Sequence, residues 1–414
     1  MTLTLAQMLK KNTHKVVRRC YIKRRLIDGT YESNWQRIDF YRSRNQVIDW
    51  GSFSLEIDHN PGDIGTFEIS ELQMQFVNIE GYWNIETDFR SIWAPSSMYL
   101  NRKLTKLKVE CGYVDAYGVE IGTATVFEGV IDKVSMSEDQ IVDATILPYT
   151  SILTKYLITD LSLTGSKTIS QVVNAIMNQS KITTYIPYVS ASPANNKTIS
   201  DASTLSGTYW DVLKQMAQLS NSIPMLVGSA WSFQPRTPTS DVKWEFLGAG
   251  TQFPNIFKIT KFDDEGAERV RTVFQCDDDS GGKITSTSSD PKLLLKYLND
   301  PQQIDLSKLE LADHLPVLRS YRSYWEKNRP VIDFSAKFMI NILKPLDKVR
   351  IKSFGQLLPL GKVRRWGDGG TWGDGSVWGR LRGSINILNQ SFMVTRIQKD
   401  IQNWMFSITA EKIV

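Results

Sequence analysis

"LTKLKVECGY", residues 104–113, and "LDKVRIKSFG", residues 346–355, are the stretches on which the reading of the fold turns. Each opens with Leu, a spacer and Lys, then runs apolar, basic, β-branched. In the first copy Leu107 and Val109 stand between Lys106, Lys108 and Glu110, the alternation of a half-buried strand. The flanks repeat as well. "LQMQF" (72–76) precedes the first copy, and "DFSAKFMINI" (333–342) precedes the second, with Phe334, Ala336, Phe338, Ile340 and Ile342 at every other position. Downstream, "VFEGVIDKV…DATI" is echoed by "FMVTRIQKDIQNWMFSIT", each a strand, a short polar turn and a returning strand. Three matched pairs in one order predict two related β-domains flanking a different middle one.

The rest of the chain fits that plan. Residues 15–150 read as β, with "FEISELQMQFVN" (67–78) placing Ile69, Leu72, Met74 and Phe76 on one face of a strand, and a hairpin turning at "SMSEDQ" (135–140). After Pro148 the period changes. "TISQVVNAIMNQ" (168–179) sets Val172, Val173, Ile176 and Met177 on a helical face, with Thr168 and Gln171 at capping-box spacing. "TYWDVLKQMAQLSNS" (208–222) repeats the device with Thr208 and Asp211, and a stripe of Trp210, Leu213, Met216 and Ala217. With short strands in "PMLVGSAWSFQPR" (224–236), these predict an α+β domain. Residues 291–328 read as helical or irregular, starting at Pro291 and interrupted by Pro301 and Pro316.

The connection between matched strands is longer in the second copy. The surplus is "PLGKVRRWGDGGTWGDGSVWGRLRG" (359–383), in which Trp366, Trp372 and Trp378 recur every sixth residue. Asp-Gly steps favour tight turns, so the stretch reads as an insertion in a strand connection. Three readings of the tryptophans are open: packing on a neighbouring chain, stacking on a sugar, or a self-packed hairpin. The first is carried forward as an interaction site. Asp368 and Asp374 are too few carboxylates for a calcium loop.

Bulk numbers bound the function. The 414 residues are enough for two to four domains, and 41% hydrophobic with 22% charged residues is the composition of a folded chain. A net charge of +5 singles out neither nucleic acid nor membrane. Twelve Trp, 15 Tyr and 17 Phe suit β-structure and protein interfaces. Cys20, Cys111 and Cys276 are dispersed, which argues against a metal cluster or disulfide framework and for reduced thiols made in a cytoplasm. No signal-like or membrane-length apolar run is present in the sequence.

Catalytic patterns are weak. With only His14, His59 and His314 there are few bases for a Ser or Cys nucleophile, and neither a nucleophile elbow nor a phosphate loop occurs. The acidic runs "FDDEG" (262–266) and "CDDDSGG" (276–282) read as solvated loops. The basic run "KVVRRCYIKRR" (15–25), with Arg18, Arg19, Arg24 and Arg25, reads as a charged edge or subunit contact rather than a DNA face, since no aromatic stacking pattern accompanies it. No enzyme activity and no cofactor are expected.

Several phrases resemble those of tailed-bacteriophage hub proteins of the baseplate or tail tip. They are "SELQMQFVNIEGYWNIETD" (70–88) with its Asn78, Glu80, Gly81, Tyr82 turn; "TVFEGVIDKVSM" (125–136); "YWDVLKQMAQLSNSIPMLVGSAWSFQPR" (209–236); and "SFMVTRIQKDIQNWMFSITAEKIV" (391–414). The resemblance implies a mainly β chain with an α+β insert: two related tail-tube-like β-barrel domains, 1–155 and 251–414, flanking a mixed domain, 156–250. The last would carry the helical segment near 291–328 and the Trp/Gly-rich loop 360–383. It further implies a homotrimer in the virion tail that adapts a sixfold tube or distal tail protein above to a spike, fibre or tail-tip protein below. Transient contact with genomic DNA in its lumen would follow, with no membrane span. The runner-up is a carbohydrate-binding or cell-wall-degrading tail component, motivated by the Trp-rich loop and the acidic runs.

Overall fold

A computed structural model describes residues 15–57, 67–84, 90–94, 98, 103–115, 117–191, 193, 195–227, 230–247, 256–263, 269–278, 280–297, 301–337, 343–352, 363–364, 377–378 and 390–414. The first 150 residues supply eight principal strands: β1 (Lys15–Lys23), β2 (Val47–Asp49), β3 (Ser52–Ile57), β4 (Phe67–Ile69), β5 (Leu72–Val77), β6 (Lys106–Val114), β7 (Glu120–Met136) and β8 (Ile141–Pro148). Six of them form one sheet in the order β1-β6-β7-β8-β5-β2, all neighbours antiparallel, with the short strand Gln36–Arg37 beside β1. In β6 the alternation read from sequence holds, with Leu107, Val109, Cys111 and Tyr113 fully buried.

β3 and β4 leave this sheet. "FEISELQMQFVN" was expected to be one strand; it breaks at Ser70–Glu71 into β4 and β5, which lie in different sheets. The reason is legible in the spacing. Ile69 to Leu72 is three residues, so one continuous strand would put Ile69 and Leu72 on opposite faces.

Next come helix α1 (Ile169–Met177) and helix α2 (Tyr209–Ser220), each started by the expected capping box, Thr168 with Gln171 and Thr208 with Asp211. Strands β9 (Ser222–Val227) and β10 (Ala230–Pro235) form a hairpin after α2. Then follow β11 (Val242–Leu247), β12 (Ile256–Asp263), β13 (Val273–Asp277), β14 (Lys283–Thr287), α3 (Pro291–Lys296) and α4 (Leu311–Trp325). Pro316 lies inside α4 and does not break it. Val317, Leu318, Tyr321, Tyr324 and Trp325 are all buried, and their packing outweighs the hydrogen bond that proline removes.

The chain closes with β15 (Val331–Lys337), β16 (Lys348–Lys352), β17 (Gln390–Asp400) and β18 (Met405–Lys412). These join β11 and β12 in a second sheet, in the order β11-β16-β17-β18-β15-β12. Ranked by position in the chain, the strands of the two sheets follow one and the same order. β1, β6, β7, β8, β5 and β2 correspond to β11, β16, β17, β18, β15 and β12. One pairing differs: β11 runs parallel to β16, where β1 runs antiparallel to β6.

The correspondence extends to irregularities. Each long hairpin carries a bulge at one matched place, between Ile131 and Lys133 in β7 and between Val394 and Arg396 in β17. The Leu104 amide donates to the Ile131 carbonyl at 2.9 Å, and the Leu346 amide donates to the Val394 carbonyl at 2.8 Å. The residue before each return strand, Gln140 or Trp404, is left-handed, with φ 59° and 60°.

The sheets do not stop at the expected domain limits. β3 of the first 155 residues pairs with β17, and β11 of residues 156–250 pairs with β16. One apolar core holds Cys20, Cys111 and Phe127 of the first sheet together with Phe334, Phe392 and Phe406 of the second. A second core gathers α1, α2, Phe274 of β13 and α4. The segment near 291–328 thus packs through α4 against the middle helices. Matched residues of both sheets, Val130 and Met393, reach into this second core.

Candidate assembly surface

Each arginine of the basic run is engaged within the chain. Arg18 donates through Nη2 to the Gln402 carbonyl at 3.0 Å and lies 5.4 Å from the Trp404 ring centre, so it stitches β1 to the β17–β18 turn. Burial lowers its pKa. Arg19 pairs with Glu120. Arg24 holds Glu32 in a fork, 3.0 Å from Nε and 2.6 Å from Nη2, and donates to the Ile92 carbonyl at 2.5 Å. Arg25 donates to the Gly29 carbonyl at 3.3 Å. Arg18 and Arg24 therefore serve internal seams, which sequence alone did not distinguish from an outer face. Trp366 and Trp372 lie outside the described residues. Trp378 ends the two-residue strand Val377–Trp378, which runs parallel to Val363–Arg364. Both pieces lie between β16 and β17, adjacent strands of the second sheet, as an insertion in a strand connection requires.

Three seams hold the sheets and the middle region together. Between the sheets, Lys399 of β17 is only 2% exposed, 5.6 Å from the Phe53 ring centre and 5.7 Å from that of Phe406. Burial pulls its pKa down to about 8, opposed by Cys111 across the seam. Tyr113 and Trp404 meet edge to face there, at 5.4 Å. Between the first sheet and the middle region, Lys106 sits 4.5, 5.2 and 5.8 Å from the rings of Tyr31, Tyr185 and Tyr149, and donates to the Thr184 carbonyl at 2.5 Å. Its pKa falls to about 8, chiefly through burial, with Lys23 adding repulsion. Between α4 and the second sheet, Tyr324 donates to Glu411 at 2.7 Å, while Arg329 and Arg236 lie 4.1 and 5.2 Å from its ring centre. Arg236, the last residue of "QPR", directly follows the end of β10 at Pro235. Lys399 and Glu411 did not stand out in the sequence, and Lys106 stood out only as part of the repeat, because a strand pattern does not tell which charged residue will be covered.

For chemistry the described residues offer little. Cys276 Sγ lies 3.6 Å from His314 Nδ1, but both are buried, and burial together with Asp277 and Asp278 pushes the thiol up to about 11. A protonated, inaccessible thiol is not a nucleophile. Asp277 pairs with Lys283, and Asp278 caps its own turn, accepting from the amides of Ser280 and Gly282. Among the described residues no three His, Cys, Asp or Glu side chains converge on a metal position. No helix among them is long and apolar enough to cross a membrane.

Two sheets of one strand order and a mixed helical region, joined by three packed seams, make up a mainly β chain. Two solved structures that share this fold are tail proteins. Over 95% of this chain and 96% of the other, it matches the tail protein from Neisseria meningitidis MC58, with a TM-score of 0.52 and 10% identity. It matches the 43 kDa tail protein of prophage MuSo2 from Shewanella oneidensis over 95% and 98%, with a TM-score of 0.52 and 11% identity. No family model matches the chain, and no curated protein matches it by sequence. The likeness is one of fold, and in that sense this is a chain with the fold of phage tail proteins.

Proposed function

We propose that this chain is a structural protein of a bacteriophage tail, the hub at which tube and spike or fibre meet. The observation that carries the reading is the recurrence of one strand order, one bulge and one left-handed leucine in both sheets. A chain with two similar sheets can present six similar faces from three copies, so a homotrimer would adapt a sixfold tube or distal tail protein to a threefold spike, fibre or tail-tip protein. In that ring the chain would border the channel through which DNA leaves. It acts by burying surface, without catalysis or cofactor, and obligate contacts of this kind commonly exceed about 2,000 Å². The Trp366, Trp372 and Trp378 stretch is assigned to contact with a neighbouring chain. Native mass measurement of the purified chain, alone and with its tube protein, tests the reading. Three copies forming a ring are expected, and a monomer under both conditions overturns it.

A further inference from the structure

The two sheets differ along one edge. In the second, β17 is covered on both sides throughout. β18 lies on one flank, and the other is shared by β16, over Gln390–Met393, and by β3, over Arg396–Asp400. In the first sheet the matched strand β7 has β8 on one flank and β6 on the other, but β6 pairs no further than Val130. The Leu104 and Thr105 contacts to Ile131 extend it by one residue. Beyond that, among the described residues, nothing pairs with the far side of Lys133–Met136.

Alternation fixes which groups are open. The Ser137 amide bonds the Ile141 carbonyl on the β8 side, so the backbone groups of Val134 and Met136 face the uncovered side. Their counterparts, Ile397 and Lys399, are paired with Leu55 and Phe53 of β3. Exposure records the difference: Met136 is 48% exposed, and Lys399 is 2% exposed. The counterpart of Lys133 is Arg396, which holds Glu56 of β3 at 3.3 Å. The free edge thus repeats the covered one in charge as well as in backbone.

Among the described residues no second hairpin stands at this place. β3 and β4 arise between β2 and β5; between their counterparts, β12 and β15, stands the block from β13 to α4 instead. We infer that the Lys133–Met136 edge of β7 is a docking site for an antiparallel strand of another protein. That strand carries an apolar residue opposite Met136, another opposite Val134 and a carboxylate opposite Lys133. This is strand addition to an exposed edge, with main-chain bonds for affinity and alternate side chains for selection. The inference rests on the strand order and not on the proposed place in the tail.

The test uses the full chain and a labelled peptide of residues 51–58, "GSFSLEID", whose Phe53, Leu55 and Glu56 carry the required pattern. Fluorescence anisotropy reports binding, and hydrogen exchange reports its place. Expected are slowed exchange at the Val134 and Met136 amides, and a ten-fold or greater loss of affinity in Val134→Pro, where proline removes an outward amide that no ladder among the described residues uses. Lys133→Glu, a surface change that keeps the fold, should lose the peptide and bind its Glu56→Lys version instead. The inference is overturned by absence of binding, by binding that Val134→Pro and Lys133→Glu leave unchanged, or by protection only at β17, which would mean exchange with β3. It is also overturned if a second copy already fills the edge, seen as self-association that Val134→Pro abolishes.

Discussion

Leu104 and Leu346 occupy one position in two sheets. Both are left-handed, at φ 67° and 70°, and each donates its amide to the residue just before its hairpin's bulge, Ile131 or Val394. A left-handed leucine is strained, by about 1–2 kcal/mol, so its presence at both places is not explained by local preference. The two differ in cover: Leu346 is 2% exposed, whereas Leu104 is only partly buried. Leu104→Gly is therefore expected to leave stability within about 1 kcal/mol of the parent, strain relief offsetting lost contact. Leu346→Gly should cost roughly 2–4 kcal/mol through the cavity it opens. Urea unfolding of the two variants decides; equal effects would contradict the difference in packing.

Gly51 is where the chain changes sheets, between β2 and β3. Its φ is +66°, and an added Cβ would stand 2.0 Å from the Gln73 carbonyl oxygen. Gly51→Ala should thus cost more than about 3 kcal/mol or abolish soluble expression, because backbone has to move. Gly118→Ala, at φ +82° with nothing within 4 Å, carries only the conformational cost, on the order of 1 kcal/mol. A Gly51→Ala protein as stable as Gly118→Ala would refute the close approach.

Lys399 yields a pH prediction. Its folded pKa is about 8 against an ordinary 10.5, so the unfolded chain binds the proton more tightly. Below about pH 8 both states are protonated and the burial penalty, roughly 3 kcal/mol, is present in full. Between about 8 and 10.5 the unfolded state holds more protons, and stability rises with pH through this group. Lys399→Met is therefore expected to be more stable than the parent at pH 7, with the gap narrowing as pH passes from 8 to 10.5. Guanidinium melts at pH 7, 8.5 and 10 measure it; a constant or widening gap would count against a lysine charged at a covered seam.

Arg24 and Arg25 are neighbours in sequence with different duties. Arg24→Ala leaves Glu32 without its fork and should cost about 1–3 kcal/mol, whereas Arg25→Ala loses one 3.3 Å contact and should cost under about 1 kcal/mol. Thermal melting distinguishes them. Were the run a DNA face, both changes would instead weaken DNA binding alike and leave the melting temperature untouched.

The Trp/Gly-rich connection is tested by Trp372→Ala combined with Trp378→Ala. Reduced assembly with neighbouring chains and an unchanged melting temperature of the isolated chain are expected. Loss of glycan binding with assembly intact would favour the carbohydrate reading.

Periodicity carries local information, and what it carried was legible. The face of β6, the capping boxes of α1 and α2, the turn between β7 and β8 and the order of the matched strands follow from which residues alternate and which recur at helical spacing. Repeated residues such as Lys106 and Lys348 marked the correspondence because each pairs with a matched partner, Val130 or Met393. Pro316 misled, since a helix rule applied to a proline cannot weigh six buried side chains on the same helix.

What tertiary structure alone decided is which surface each patterned strand faces. An alternating strand declares that one side is apolar, but not which sheet will receive it, and so β3 crosses at Gly51 to pair with β17. Charge is just as silent. Lys399, Lys106 and Arg18 look like solvent-facing residues until distant segments close over them, because burial depends on contacts between residues far apart in the chain. The sequence by itself determined the alternating face of β6, the β7–β8 hairpin and the capped starts of α1 and α2. Only three-dimensional closure decided that one copy's edge is covered by β3 while, among the described residues, the other's has no partner strand.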